Sequence, residues 1–225
     1  MPCSCCAFLN ATERQFSQKK AASEIARYRE KGPGPTTRLL RDGLVNAGPV
    51  DGTVLDIGGG VGALSFELLD RGVTRAVIVD ASPAYLAAAS DEANRRGRAA
   101  VTSVVPGDFV MISDQLPPGD LVTLDRVVCC YPGYQPLLTE SLQHAVHRFA
   151  YSYPRDRWFV RFRVWLENTL RWWRSNPFRT FVHPPSEMQR IVEAAGFRLA
   201  NRRYTLTWSA DVFVKAAAAA IPNRD

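Results

Sequence analysis

The run VLDIGGGVGALSFELL, Val54 to Leu69, sets four glycines within five positions directly behind an apolar segment that ends in aspartate. Glycine tolerates positive φ and lets a ligand approach the backbone, and a helix starting after it offers unpaired N–H groups. The stretch therefore reads as strand TVLDI, a tight turn, and a helix over 61–71. The same alternation repeats along the chain. RAVIVD (75–80) is a strand, 83–97 an alanine-rich helix, VTSVV (101–105) a strand and DLVTLDRVVC (120–129) another. A helix from Leu137 to His147 then leads into the strand RFAYSYP. Short apolar strands alternating with helices predict an α/β fold, a Rossmann-like sheet with helices on both faces. PSEMQRIVEAAGF adds a helix started by Ser186 and stopped by Gly196. FRLANRRYTLTW and ADVFVKA then read as two strands joined by a short turn. Seven strands result, and the closing pair makes the last one antiparallel.

The glycines alone leave the ligand open, because Gly58-x-Gly60-x-x-Ala63 also satisfies the dinucleotide fingerprint. Three further signals in chain order break the tie. Asp80, 18 residues after Gly62, ends the second strand with Ala81 beside it, where a carboxylate can accept both hydroxyls of a ribose. Asp108 and Phe109 follow the third strand, one able to accept from an adenine amino group and the other to cover the ring. Asp125 ends the fourth strand, at the mouth of the sheet. Asp56 itself is a clue, since a carboxylate there repels a pyrophosphate but welcomes an ammonium. A nicotinamide-binding domain, the main alternative, gives no reason for GDF (107–109) or for the terminal strand pair.

With these motifs in order, residues from about 50 to 215 resemble a class I S-adenosylmethionine-dependent methyltransferase. LDIGGGVG resembles the family's acidic glycine motif, VIVDAS its ribose motif, VVPGDF its adenine motif and LVTLDRVVCCYP its fourth motif. The resemblance implies S-adenosylmethionine as the cofactor. Gly58, Gly60 and Gly62 would frame its methionine and ribose end, with Asp56 and Asp125 nearby. Asp80 and Ala81 would hold the ribose, and Asp108 and Phe109 the adenine. It divides the chain into a helical cap over 1–48 and a cofactor-binding domain over 49–225. A faint further similarity is to the magnesium-protoporphyrin O-methyltransferases, which act on a tetrapyrrole carboxylate.

The acceptor is written less plainly. Enzymes that methylate planar amino groups often carry Asn/Asp-Pro-Pro-Tyr/Phe at the fourth motif, whereas this chain has DRVVCCYPG. Oxygen becomes the favoured acceptor, with carbon and sulfur open, on a small hydrophobic molecule. A base is needed only where the acceptor must lose a proton. Asp125, Tyr131 and His183 are the candidate catalytic groups. Tyr28, on the N-terminal helix predicted over 12–32, is a candidate for base or substrate contact, with Arg155 and Trp158 as further substrate contacts. His183 also reads simply as a turn-capping residue before the last helix.

Residues 155–179 hold seven arginines against Asp156 and Glu167, so most of the formal charge of +6 is concentrated there. Four of the five tryptophans share the segment. Trp158, Phe162, Trp165, Thr169 and Trp172 step by 4, 3, 4 and 3, one face of a helix. Three readings compete: a lid packing that stripe on the core, a cover over a hydrophobic substrate, and a basic amphipathic helix at a membrane surface. The last gives a non-catalytic alternative, a cofactor-fold adaptor at membranes. RNA methylation is another, although the near-neutral remainder argues against a broad phosphate-tracking surface. Cys3, Cys5 and Cys6 are spaced too tightly for a chelating loop, so no metal is expected, and Cys129 with Cys130 reads as apolar filler on extended chain. With no basic-then-apolar leader and no run long enough to span a bilayer, the sequence predicts a cytoplasmic protein.

Overall fold

The computed structural model describes residues 15–216. Two helices, α1 (Gln18–Lys31) and α2 (Pro35–Asn46), precede the sheet. Then come β1 (Thr53–Ile57), α3 (Ala63–Leu69), β2 (Arg75–Asp80), α4 (Pro83–Arg95), β3 (Thr102–Pro106) and a single turn α5 (Phe109–Ile112). The second half runs β4 (Gly119–Leu124), α6 (Tyr134–His144), β5 (Ala145–Pro154), α7 (Trp158–Trp173), α8 (Pro185–Ala194), β6 (Phe197–Tyr204) and β7 (Trp208–Lys215). The sheet has seven strands in the order β3-β2-β1-β4-β5-β7-β6. β7 lies antiparallel to both β5 and β6, and the remaining neighbours are parallel. This is the Rossmann-like sheet with an antiparallel last strand.

Alternating strand residues supply two cores, because successive side chains point to opposite faces. Val54, Ala76, Leu121, Ala150 and Val212 pack with Leu40 and Leu44 of α2, Phe66 of α3 and Tyr85 of α4. Leu55, Val77, Val122, Phe149, Tyr151 and Phe213 pack with Leu137 and Leu138 of α6 and with Met188 and Val192 of α8. The β6–β7 hairpin is pinned by Asp211, fully buried, which accepts from Arg202 (2.7 and 2.9 Å), Tyr153 (3.0 Å) and Ser209 (3.0 Å).

Several boundaries move. Thr12, expected to cap the first helix, lies outside the described residues, and α1 begins after Ser17. The strand expected over 120–129 stops at Leu124, because Arg126 takes φ +63° and turns the chain out of the sheet. Cys129 and Cys130 therefore sit on a 3-10 turn (Val128–Cys130) rather than on extended chain, their sulfurs 3.8 Å apart. The helix expected from Leu137 to His147 runs Tyr134–His144, its last expected residues having joined β5. The last helix begins at Pro185, one residue before the expected Ser186.

Candidate functional site

Parallel strands leave their carboxyl ends along one edge of the sheet, and a crevice opens where the strand order reverses between β1 and β4. The turn after β1 enters it. Gly58 has φ +62°, and a Cβ there would lie 2.5 Å from Cγ2 of Val127, so only glycine lets this turn pack against the residues beyond β4. Gly62, in the left-handed region at φ +77°, is the N-cap of α3, and a Cβ on it would come within 2.8 Å of the Phe66 ring.

Four aspartates stand at the strand ends, each held differently. Asp56 is buried, and its two oxygens accept from Thr123 (2.7 Å) and Ser65 (2.8 Å). Burial pushes its carboxyl up to about 6. Asp80 accepts from the backbone N–H groups of Gly60 (2.9 Å) and Ser82 (2.8 Å), fastening the glycine turn to the end of β2. Burial raises its pKa as well. Asp108 caps α5 through the N–H of Val110 (3.2 Å) and accepts from the Tyr131 hydroxyl, again with a raised pKa from burial. Asp125 accepts from Thr37 of α2 and Ser152 of β5, both at 2.6 Å.

A cavity of about 310 Å³ joins these groups. The glycine turn, Asp56, Asp80, Ala81, Asp108, Phe109, Asp125 and Tyr131 all line it, so the residues expected at the cofactor are brought to one space. The cavity also tests whether the implied S-adenosylmethionine suits these residues. Six carboxylates (Glu24, Asp56, Asp80, Asp108, Asp125, Glu167) line it against Lys20, Arg126 and Arg171, a balance that favours a cationic sulfonium over a pyrophosphate. Asp80 uses one lone pair of each oxygen on backbone N–H, which leaves each oxygen able to accept a ribose hydroxyl. The residues present fit the group.

Other expected site residues lie elsewhere. The Tyr28 hydroxyl donates to Glu67 (3.2 Å) and the Ala63 carbonyl (3.4 Å) beneath α1 and does not line the cavity. His183 is buried with Nε2 3.1 Å from the Val128 carbonyl and 2.9 Å from that of Tyr131. It fastens the turn carrying the cysteines, and burial lowers its pKa. Arg155 donates to the carbonyls of Thr205 and Leu206 and lies 4.6 Å over the Tyr204 ring, away from the cavity. Trp158 is 80% exposed.

α7 corrects the lid expectation. Val160 is its one buried residue; Val164, Glu167, Asn168 and Arg171 continue the same strip and turn inward, while the aromatic stripe faces solvent. Arg171 donates to Asn168 (3.1 Å) and Thr180 (2.9 Å), and Asn168 also bonds the Thr180 backbone, so α7 is laced to the loop before α8. Glu167, Arg171, Phe178 and Thr180 line the cavity, and none of them is among the site residues the sequence suggests. Periodicity finds the helix but not its inward face. On the opposite side, Glu24 of α1 accepts from Tyr85 (2.7 Å) and Arg126 (2.9 Å), drawing Lys20 and Phe16 to the cavity wall.

The fold is shared with known proteins. Residues 54–151 match the family model described as a methyltransferase domain. No curated protein sequence matches the chain. Among solved structures, magnesium protoporphyrin IX methyltransferase from Synechocystis, with bound S-adenosylhomocysteine, is similar with TM-score 0.61 and 18% identity, over 90% of this chain and 85% of that one. Human N-acetylserotonin methyltransferase in complex with S-adenosylmethionine gives TM-score 0.63 and 19% identity, over 91% and 58%. An O-methyltransferase family 2 protein from Planctomyces limnophilus, in complex with apigenin, gives 0.63 and 15%, over 93% and 65%.

Proposed function

We propose that this chain, whose residues 54–151 match a methyltransferase domain and whose fold is shared with S-adenosylmethionine-binding enzymes, is a class I S-adenosylmethionine-dependent methyltransferase that methylates an oxygen of a small hydrophobic molecule held beneath the polar face of α7. When bound, S-adenosylmethionine supplies an electrophilic sulfonium methyl, and its transfer depends chiefly on positioning. In this reading Asp80 and Ala81 hold the ribose, and Asp108 with Phe109 the adenine. Gly58, Gly60 and Gly62 open the backbone to the methionine end, which Asp56 and Asp125 flank. Of the cap expected over 1–48, the described part, residues 15–48, covers the site through α1.

The observation that carries the proposal is that one cavity contains both the strand-end aspartates and Arg171, Phe178 and Thr180. Lys20, Arg126 and Arg171 are its cations, and a guanidinium suits a carboxylate or phenolate oxygen. A carboxylate acceptor needs no base. A phenol would pass its proton to Asp125, at the methionine end. The missing Pro-Pro pair after Asp125 supports oxygen over a planar nitrogen, as does one neighbouring structure, named an O-methyltransferase and in complex with apigenin.

The test is methyl transfer from labelled S-adenosylmethionine to a panel of hydrophobic carboxylic acids, phenols, amines and RNA oligonucleotides. Turnover on the oxygen acceptors, with KM raised more than kcat is lowered in Arg171→Ala, is the expected result. Turnover confined to amines or RNA would overturn the acceptor assignment.

A further inference from the structure

Helix α7 is inverted relative to an ordinary surface helix. Its charged and amide residues Glu167, Asn168 and Arg171 point into the protein, and its large apolar residues point out. Trp158, Phe162, Trp165, Trp172 and Trp173 are between 58% and 80% exposed, and Leu166 and Leu170 are exposed beside them. Among the described residues no other element leaves so much apolar surface uncovered. The β6–β7 turn adds to it, since Leu206 is 76% exposed and its carbonyl is held by Arg155, three residues before α7 begins.

The charges around this face say what covers it. Arg157, Arg161, Arg163 and Arg174 are all exposed. Arg161 pairs with Asp156 and Arg163 with Glu167 (2.8 Å), which uses both acidic residues of the segment. Among the described residues Arg157 and Arg174, one at each end of the helix, form no ion pair. An apolar, tryptophan-rich strip between two uncompensated cations matches the depth profile of an anionic bilayer surface, with rings at the headgroup level and arginines on the phosphates. A second copy fits poorly. Across a two-fold axis the same face meets itself, so an antiparallel contact sets Arg157 against the copy's Arg174 and a parallel one sets each against its twin.

We propose that the outer face of α7 docks in the interfacial layer of an anionic lipid membrane, lying in the plane of the surface. At 16 residues the helix is about 24 Å long, and no helix among the described residues is long and apolar enough to cross a bilayer. Docking brings the roof of the cavity, through Glu167 and Arg171, to the layer into which hydrophobic molecules partition. That second consequence rests on the proposed methyl transfer; the docking itself does not.

Flotation of the full chain with unilamellar vesicles tests this. Vesicles containing phosphatidylglycerol should bind it at least about tenfold better than phosphatidylcholine alone, and added salt should erase the difference. Trp165→Glu with Trp172→Glu should abolish flotation while the thermal shift produced by S-adenosylhomocysteine persists, which shows the variant is folded. If that shift persists in the natural chain but neither vesicle floats it, the docking proposal fails and the methyl-transfer reading stands. If the shift is absent while flotation is normal, the reverse holds. A dimer that the double variant dissolves, or RNA binding that it abolishes, each without vesicle binding, would overturn the membrane as the occupant.

Discussion

At the strand ends, residues 56–60 and 80–82 grip one another through carboxylates and backbone N–H groups, and a single added carbon at Gly58 would collide with Val127. Over them, residues 158–173 touch the body through one strip and turn seven large apolar side chains outward. In the first region each residue type is demanded by the backbone or by a buried neighbour. In the second, the inward strip is held by a few side chains and the outward face answers to something outside the fold. The two regions should therefore respond to substitution very differently.

The largest effect is expected at the glycine turn. Gly58→Val combines a left-handed φ with the clash on Val127, and should cost roughly 3–5 kcal/mol in denaturant unfolding. A midpoint unchanged from the natural chain would show that the turn has room to relax. Asp56 gives an effect of about 2–3 kcal/mol that depends on pH. Its folded pKa of about 6 stands above the ordinary carboxylate value of 3.8, so between these values the folded state binds more protons than the unfolded one. Its contribution is greatest below pH 4, falls as pH rises, and levels off above about 6. Stability of the natural chain measured against Asp56→Asn should decline over that window, and a flat difference would contradict the burial argument.

Smaller effects separate the two faces of α7. Val160→Ala, on the buried strip, should cost about 1–2 kcal/mol, whereas Trp165→Ala, 60% exposed, should stay within about 0.5. A larger loss at Trp165 than at Val160 would mean that the helix sits the other way round.

The same contrast explains how far the sequence could be read. The alternation of strands and helices, the antiparallel last strand and the residues gathered round one cavity were legible because apolar runs must be buried and because glycine before a helix has few other uses. The end of β4 was not, since nothing in DLVTLDRVVC announces that Arg126 takes positive φ, and the cysteine pair went with it. The stripe from Trp158 to Trp172 was found, but periodicity places residues on one face without saying which face meets the protein. Charge did hold a signal: Glu167 and Arg171 are an i,i+4 pair on the strip through Val160, and they line the cavity. Tyr28 and His183 were singled out as chemically able residues, but their hydrogen bonds go to Glu67 and to turn carbonyls.

Calorimetric titration of S-adenosylhomocysteine into the natural chain, Asp80→Ala and Arg171→Ala bears most directly on this division of labour. Asp80→Ala removes both the anchor of Gly60 and the proposed ribose acceptor, and should weaken binding roughly 30- to 100-fold. Arg171→Ala should stay within about fivefold, the scale of a partly exposed ion pair. Equal losses in the two variants, or undiminished affinity in Asp80→Ala, would contradict the assignment of the strand ends to the cofactor and of the α7 strip to the acceptor.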